Sequence, residues 1–414
     1  MTMLLSLVLS LYLFFNLLEV LLSFLNIRHL AKHGGVVPPG FAGKVDGALL
    51  VKMRDYTMAG SRLGLAATFF GMAVTIAFLF GGLLDLYNSW IVGLQLSPQL
   101  AAVLFFLLLA HGHTLINLPF ALYTTFYIEK KYGFNRQTIG LFVADTLKEL
   151  LLATVLNSIL LWVAFLLVAG FPENWWLLTW LFFVVFSVVM IYLAPYVIEP
   201  LFNKFSPIAD GELEGRIREL LARAGMTVSK VFTMDASRRS SHSNAYFSGI
   251  GHVKRIVLYD TLLAGNTSDE VLAILAHEAG HWKKKHIVKR LVVLEGLALV
   301  GSYLFFLLVK GDGLAELFGL AQPTIYAKLL LAAFVGSLAV FPLQPLLSYW
   351  SRVHERQADD FALALTGNPQ AMAGALVKLG ADNLANLHPH PWYAAFYYSH
   401  PPLVSRVARL LGRK

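Results

Sequence analysis

Residues 268–310 read SDEVLAILAHEAGHWKKKHIVKRLVVLEGLALVGSYLFFLLVK, and this stretch joins the two patterns that decide the fold. Its first half has the spacing of a helix, and Thr267 with Glu270 matches a capping box at the helix start. Its second half contains a mostly apolar run over residues 290–309, the length of about 20 residues that a membrane-spanning helix needs. The sequence therefore predicts a polar helix followed at once by a membrane span.

Six further stretches have the length and apolar character of a span, namely residues 3–25, 63–84, 99–122, 150–171, 176–197 and 327–349. The chain of 414 residues is 57% hydrophobic and 14% charged, whereas a soluble chain carries about 25% charged residues. Lipid-facing surface explains this deficit better than one oversized core. The chain has no cysteine, which excludes disulfides and thiol chemistry. The sequence predicts a mostly α multi-pass membrane protein with seven transmembrane helices.

Basic and neutral loops alternate along the whole chain. The first, third and fifth loops and the C-terminal tail are rich in Lys and Arg, and the second, fourth and sixth loops hold none, although Lys310 and Lys328 flank the sixth. Cytoplasmic loops carry the basic excess, so we expect the N-terminus outside and the fifth loop and tail in the cytoplasm. The first apolar run has no basic n-region and is interpreted as a retained span. This orientation fits a bacterial inner membrane or an endoplasmic reticulum membrane, depending on the host.

The net charge of +8 resides mostly in these loops, so we expect a lipid bilayer as partner and no nucleic acid. The predicted organisation has spans one to five in residues 1–197, a first polar piece at 198–289, spans six and seven at 290–349 and a second polar piece at 350–414. Both polar pieces lie on one side of the membrane and should form a single α+β domain. In the first piece, residues 213–224 have helical spacing, and 228–235 and 246–259 have the alternation of strands.

The predicted polar helix contains His277-Glu278-Ala279-Gly280-His281, an H-E-x-x-H pattern. Residues four apart share one face of a helix, so both imidazoles can bind one Zn²⁺. Zinc lowers the pKa of a bound water to about 7, and Glu278 can accept a proton from that water as general base. The alternative is a helix with two surface histidines and no metal.

A catalytic zinc needs a third protein ligand, and the second polar piece offers Ser351-Arg352-Val353-His354-Glu355-Arg356-Gln357-Ala358-Asp359-Asp360-Phe361-Ala362. Position and spacing do not separate His354 from Glu355. At this segment the chain resembles the integral-membrane type I CaaX prenyl endopeptidases, which share an S-R-x-x-E-x-x-A-D segment. The resemblance implies that Glu355 is the third ligand and that Asp359 orients a zinc-bound histidine.

The resemblance extends over most of the chain, through Tyr132 to Asn135, Pro195 to Pro207, Ser237 to Phe247, and Ser399 to Pro402 followed by Arg406. It implies that Asn244, Ala245 and Tyr246 lie on an edge strand that binds an extended substrate through backbone hydrogen bonds. It also implies that His400 and Arg406 donate hydrogen bonds on the oxyanion side of the substrate carbonyl. An alternative for His400 is a neighbour of a helix N-terminus.

Neither Gly nor Pro interrupts residues 281–295, so we expect the motif helix to run straight into the sixth span. Glu295 would then lie on the zinc face of that helix. The resemblance implies an internal chamber between the spans that such polar residues would line. Pairing between helices is the alternative for Glu19, Glu295, His111, His113, Asn117 and Asn157. His286 lies off the ligand face, and His388 and His390 alternate with prolines in a predicted loop.

We therefore interpret the chain as a zinc-dependent membrane endopeptidase that acts on peptides or proteins. Two tasks remain open: cutting the C-terminus of prenylated CaaX proteins, or clearing misfolded membrane proteins. A transporter or channel with histidine metal sites is the rival class, and an inactive zinc scaffold is the third reading. The intact Glu278 argues against the scaffold. The sequence does not indicate an oligomeric state.

Overall fold

Seven helices are long and apolar enough to cross a membrane in the computed structural model, which describes residues 2–248 and 253–412, apart from the side chains of Ser229, Ser248, Val253 and Lys254. The predicted number of spans is confirmed, and the chain is a multi-pass integral membrane protein. The helices extend further than the apolar runs at most of their ends. Their bounds are Met3–His33, Gly47–Phe80, Pro98–Tyr132, Ile139–Gly170, Trp175–Phe202, His286–Lys310 and Ile325–Thr366.

These helices form because long apolar runs cannot satisfy their backbone groups in lipid except within the helix itself. Thr2, Asp46, Thr138 and Thr324 cap four of their N-termini through side-chain oxygens. Large apolar side chains such as Trp162 and Phe183 remain exposed on them, as expected of a surface that faces lipid.

The seventh spanning helix continues well beyond the predicted span end at residue 349. A single 3-10 turn over Phe341–Leu343 interrupts it, where Pro342 removes a backbone donor, and the helix then resumes as Gln344–Thr366. The S-R-x-x-E segment is therefore part of this helix, which we call the Glu355 helix. The seventh membrane span and the candidate ligand Glu355 thus belong to one nearly continuous helix.

The expected run of the motif helix into the sixth span is wrong. The motif helix is Ser268–Lys283, and the next helix begins at His286 after Lys285 adopts a left-handed backbone with φ 57°. The break lets the buried ring of His286 turn back against His281 and Gln357. No glycine marks this break, so no local pattern in the sequence predicted it. The placement of Glu295 on the zinc face, which assumed an unbroken helix, loses its basis.

Polar residues in the spans have several partners. Trp180 Nε1 donates to the backbone oxygen of Glu295 at 3.0 Å. His111 Nε2 lies 3.0 Å from Thr154 Oγ1 on a neighbouring helix. These contacts agree with pairing between helices, and the internal chamber stays a prediction.

A four-stranded sheet lies in the polar domain, in the order β1-β2-β4-β3. Its strands are β1 Phe205–Pro207, β2 Thr227–Met234, β3 Ala245–Ser248 and β4 Val253–Tyr259. β2 and β4 pair in parallel, and the outer pairs are antiparallel. The predicted strand region 246–259 thus contains two strands, and β1 was not predicted. Among the described residues, β3 pairs with β4 alone and lies at the edge of the sheet.

The motif helix packs between this sheet and the remaining helices of the polar domain. Ile217, Leu221, Ile256, Leu258 and Leu275 are fully buried at this contact. Burial of apolar side chains of this size contributes about 1.5–3 kcal/mol each. The other helices of the polar domain are Gly211–Arg223, Asp260–Gly265, Pro369–Asp382, Pro391–Tyr397 and Leu403–Leu410. Shorter helices between the spans are Leu83–Gly93 and Gly313–Leu317.

Candidate active site

The motif helix is fixed at its first turn before it reaches the H-E-x-x-H residues. Thr267 and Glu270 form the predicted capping box, and Lys378 from the helix Pro369–Asp382 binds Glu270 Oε2 at 2.5 Å. The cap satisfies backbone donors that would otherwise have no partner and contributes about 1 kcal/mol. It therefore fixes where His277 and His281 stand relative to the sheet.

Gly280 allows the Glu355 helix to approach the motif helix closely. A Cβ atom at this position would lie 2.9 Å from Ala358 Cα and 3.0 Å from Ala358 O, which real side chains do not tolerate without a backbone shift. The middle of the H-E-x-x-H pattern therefore requires a small residue for a packing reason. This approach brings Glu355 to the two histidines.

Three potential ligand atoms converge between the two helices. His277 Nε2 and His281 Nε2 are 3.2 Å apart. Glu355 Oε2 lies 3.4 Å from His277 Nε2, and Glu355 Oε1 lies 3.3 Å from His281 Nε2. Side chains of His277 and Glu355 are 9% and 5% exposed. The structure thus brings together the three residues that the sequence and the resemblance indicated as ligands.

This arrangement fits a tetrahedral metal ion. Ligand atoms at 2.0–2.1 Å from a tetrahedral zinc are separated from one another by about 3.3 Å. The distance between the two imidazole nitrogens and the distance from each nitrogen to one of the two carboxylate oxygens are close to that value. Within residues 2–248 and 253–412, Glu355 Oε2 is also buried with no hydrogen-bond donor, a costly state that a cation relieves. The donor set of two imidazoles and one carboxylate is the one found in zinc metallopeptidases.

Asp359, one turn beyond Glu355, lies behind His277. Its Oδ1 is 2.8 Å from His277 Nδ1. A carboxylate can only accept, so this contact favours a proton on Nδ1 and leaves Nε2 free for a metal. The position agrees with the orienting role that the resemblance implied for Asp359.

Arg406 binds Asp359 through two hydrogen bonds and is itself buried. Its Nε and Nη2 donate to the carboxylate oxygens at 3.0 and 2.6 Å, and its Nη1 lies 3.7 Å from Glu355 Oε2. Two of its three nitrogens therefore hold Asp359. A pair of this bidentate kind has the strongest geometry available to a guanidinium.

The structure shows which of the adjacent residues His354 and Glu355 lies beside His277 and His281, a choice that the sequence spacing left open. The His354 ring stacks on the ring of His286 at 4.0 Å with an angle of 8°, and it is Glu355 that the described residues bring together with His277 and His281. His286 Nδ1 lies 3.1 Å from His281 Nδ1. Helical spacing had placed His286 off the ligand face, but the helix break at Lys285 brings its ring against His281.

Two titrating groups of the motif helix have shifted pKa values. Burial alone would lower the pKa of His277, but the carboxylates of Asp359 and Glu355 outweigh burial and raise this pKa to about 9. Burial raises the pKa of Glu278, against the opposing charges of His277 and His281. A carboxylate with a raised pKa is a stronger base, which suits a proton acceptor.

The remaining predicted site residues lie at two rims of this centre. His400 Nε2 is 3.2 Å from Glu355 Oε1, and its side chain is 59% exposed. Ala245 and Tyr246 begin the edge strand β3, which contacts the motif helix. Asn244 is exposed just before this strand, and its Oδ1 accepts from the backbone N–H of Ala245 at 2.9 Å.

The histidines of the proline-rich loop contact other groups. His388 Nε2 lies 2.7 Å from the backbone oxygen of Val36, and His390 accepts from the backbone N–H of Trp392. They stand apart from the group of His277, His281 and Glu355.

A seven-span membrane fold that holds H-E-x-x-H against a buried glutamate defines an integral-membrane metallopeptidase. Residues 26–204 match the model described as CAAX prenyl protease N-terminal, five membrane helices, and residues 207–414 match peptidase family M48. The chain belongs to peptidase family M48 and is a metalloendopeptidase.

Relatives in this family are similar over nearly their whole length. The chain is 36% identical to CAAX prenyl protease 1 homolog of Oryza sativa subsp. japonica, covering 96% of this chain and 95% of that protein. It is 33% identical to CAAX prenyl protease 1 of Saccharomyces cerevisiae, covering 94% and 91%. The crystal structure of S. mikatae Ste24p superposes with a TM-score of 0.91 at 30% identity, covering 99% of both chains.

Proposed function

We propose that this chain hydrolyses the peptide bond that releases the C-terminal tripeptide of prenylated CaaX proteins, with one Zn²⁺ held by His277, His281 and Glu355. The observation that carries the metal site is the convergence of His277 Nε2, His281 Nε2 and the Glu355 carboxylate between two helices, where the two nitrogens are 3.2 Å apart and each lies 3.3–3.4 Å from one of the two carboxylate oxygens. The substrate class follows from the relatives, which are named CAAX prenyl proteases and match nearly the whole chain.

When bound, the zinc ion would supply a water with a pKa of about 7 and polarise the scissile carbonyl. Glu278 accepts a proton from the attacking water and passes it to the amide nitrogen as the carbon–nitrogen bond breaks. Its raised pKa makes it able to accept and then release that proton. The products are a new carboxylate on the protein and a free tripeptide amine.

The edge strand and His400 are proposed to hold the substrate on either side of the ligands. β3 is the last strand of the sheet within the described part of the chain and contacts the motif helix, so an extended peptide can pair with it through backbone hydrogen bonds. Asn244, at the start of this edge, is proposed as a side-chain contact. His400 reaches the ligands from an exposed position, where it can donate to the oxyanion that forms on the carbonyl.

Arg406 is proposed to act mainly through Asp359 and Glu355. Two of its nitrogens are occupied by Asp359, so its positive charge balances the two buried carboxylates. A direct hydrogen bond to the substrate oxyanion would have to come from Nη1 or from the second N–H of Nη2. The expected role is therefore to keep both acidic side chains ionised and in place.

Replacement of Glu278 by Gln tests this function. We expect Glu278→Gln to retain one zinc ion per chain and to lose nearly all release of tripeptide from a farnesylated CaaX peptide. General-base loss costs about 10²–10⁴-fold in rate. Zinc is measured by mass spectrometry of the purified full-length protein and tripeptide by liquid chromatography.

The same peptide with an unmodified cysteine is the matched substrate control. Faster cleavage of the farnesylated peptide supports the CaaX task, and equal cleavage of both favours general clearance of membrane proteins. Wild-type cleavage by Glu278→Gln would contradict the mechanism. A wild-type chain without zinc or another divalent metal would contradict the metal site.

A further inference from the structure

His281 has a partner on its outer side that differs from the partner of His277. Its Nδ1 lies 3.1 Å from Nδ1 of His286, the first residue of the sixth spanning helix. In a continuous helix, a residue five positions on would point about 140° away. The left-handed backbone at Lys285 breaks the helix and returns His286 to the site.

The His286 ring is held on two further sides. Its Nε2 lies 2.9 Å from Gln357 Oε1, and its face stacks on His354 at 4.0 Å. The residue is 4% exposed. Gln357 and His354 lie on the Glu355 helix, either side of the candidate ligand, so one helix supplies both the ligand and the support for His286.

The order of donors and acceptors along this chain of contacts is determined at its outer end. The amide oxygen of Gln357 can only accept, so His286 carries its proton on Nε2 and has a lone pair on Nδ1. That lone pair can accept the Nδ1 proton of His281. His281 is then left with its Nε2 lone pair directed at His277 and Glu355.

We propose that His286 is a positioning residue that fixes the tautomer and orientation of His281, with Gln357 setting the proton position in His286. This inference rests on the proposed role of His281 as a metal ligand. It gives each ligand histidine its own acceptor, Asp359 for His277 and His286 for His281. Loss of such outer partners typically costs about 10–100-fold in metal affinity.

The test compares two variants of similar size in the full-length, detergent-purified protein. His286→Leu removes the acceptor, whereas His286→Asn retains a carbonyl oxygen near the position of Nδ1. Zinc dissociation constants are measured by competition with a chromogenic chelator. We expect about 10–100-fold weaker binding for His286→Leu and substantial recovery for His286→Asn.

A spectroscopic readout and a control accompany this pair. The absorption spectrum of the Co²⁺-substituted protein reports ligand geometry, and we expect a change for His286→Leu and the wild-type spectrum for His286→Asn. His354→Phe keeps a flat ring against His286 and offers no new acceptor, so it should bind zinc as wild type does.

Equal zinc affinity of wild type and folded His286→Leu would overturn the proposal, as would an equal loss in His286→Leu and His286→Asn. If His286→Leu does not fold, Gln357→Glu and Gln357→Leu decide the question. The first keeps an acceptor for His286 Nε2 and should retain affinity, and equal affinities within this pair would overturn the proposal. Absence of metal binding in the wild type would instead contradict the proposed function.

Discussion

Two neighbouring regions of the site are held in contrasting ways. The ligand cluster, formed by His277, His281 and Glu355, lies between two helices. As whole residues, Glu355 and the neighbouring Asp359 are 4% and 1% exposed. The edge segment, residues 237–248, leads into β3 and is mostly half-buried. The cluster is supported by charges inside the polar domain, whereas the edge segment is tied to the membrane helices.

The edge segment makes hydrogen bonds, an ion pair and a ring contact with several separate parts of the chain. Arg239 Nε donates to Asp145 Oδ2 at 2.8 Å, and Ser241 N donates to the backbone oxygen of Phe134 at 3.1 Å. His242 stacks on Phe134 at 4.0 Å and lies 3.3 Å from Glu129 Oε2. The segments 132–135 and 237–247, which carry part of the family resemblance, thus meet at the junction with the membrane.

From this difference we expect that one set of residues controls metal affinity and another controls substrate binding. Breaking a buried charge pair leaves an uncompensated charge and costs about 3–5 kcal/mol. The more exposed pair of His242 with Glu129 in the edge segment is screened by water and contributes up to about 1 kcal/mol. Changes in the cluster should therefore affect metal binding strongly, and changes in the edge segment should affect substrate binding more modestly.

The largest expected effect is that of Asp359→Asn. It keeps an oxygen acceptor but removes the negative charge beside His277 Nδ1, which is also a charge partner of buried Arg406, so zinc affinity should fall by about 10–100-fold. Thermal stability should fall as well, because Arg406 keeps only its more distant neighbour Glu355. Chelator competition and thermal unfolding measure the two effects.

Asp360→Asn is the matched control for this change. Asp360 is the next residue on the same helix, its side chain is 61% exposed, and it pairs with Arg409 at the surface. Its replacement should leave zinc affinity unchanged. Similar zinc affinities for both variants would mean that the cluster does not depend on its buried support.

A smaller effect is expected for Arg239→Gln in the edge segment. It removes the ion pair with Asp145, which is 6% exposed and retains Lys148 at 3.7 Å. The cost of leaving this carboxylate short of partners is about 1–3 kcal/mol, expressed as a looser edge strand. KM for a CaaX peptide should rise several-fold with zinc content unchanged.

Exposed Arg238 provides the control, because Arg238→Gln removes the same charge from the adjacent position. A loss of zinc in Arg239→Gln would show that the two regions are not separable. A KM equal to that of Arg238→Gln would show that the Asp145 pair does not position the edge strand.

The smallest effect concerns the pH dependence of the edge segment. The hydrogen bond to Glu129 raises the pKa of His242 above its ordinary value of 6.5, against the opposing effect of burial. The folded protein therefore holds this proton more tightly than the unfolded chain. The stabilisation is complete below pH 6.5 and is lost as pH rises through the raised pKa.

Thermal unfolding of wild type and His242→Gln at a series of pH values measures this contribution. The two midpoints should differ most at the acid end and converge above the raised pKa, with a difference of less than about 1 kcal/mol. His33→Gln, at an exposed histidine, is the control. A gap that widens with rising pH would contradict the assigned sign.

Local patterns predicted those features that depend on local chemistry. The seven spans follow from apolar length, and the capping box at Thr267 and Glu270 follows from a four-residue pattern. The pairing of His277 with His281 follows from helical spacing. The family resemblance, through the S-R-x-x-E segment, supplied Glu355 and Asp359, which spacing left undecided. The assigned roles of these residues in metal binding and catalysis remain proposals.

Features that depend on contacts between residues far apart in the chain had no local pattern in the sequence. The helix break lies at Lys285, a residue type that does not ordinarily mark breaks. It accompanies the contact of His286 with Gln357, about 70 positions further along the chain. β1 is only three residues long and pairs with β2 across a helix. Arg406 is bound to Asp359, although the resemblance pointed to the substrate.

The sequence by itself determined that the chain crosses a membrane seven times and that two histidines share one helical face, because both depend on periodicity and apolar length. Only the tertiary structure decided which neighbours surround those histidines. Gly280 permits the close approach of the Glu355 helix, and that contact joins residues separated by an entire membrane hairpin. Spacing along a chain cannot report such distances, because they arise from packing between helices.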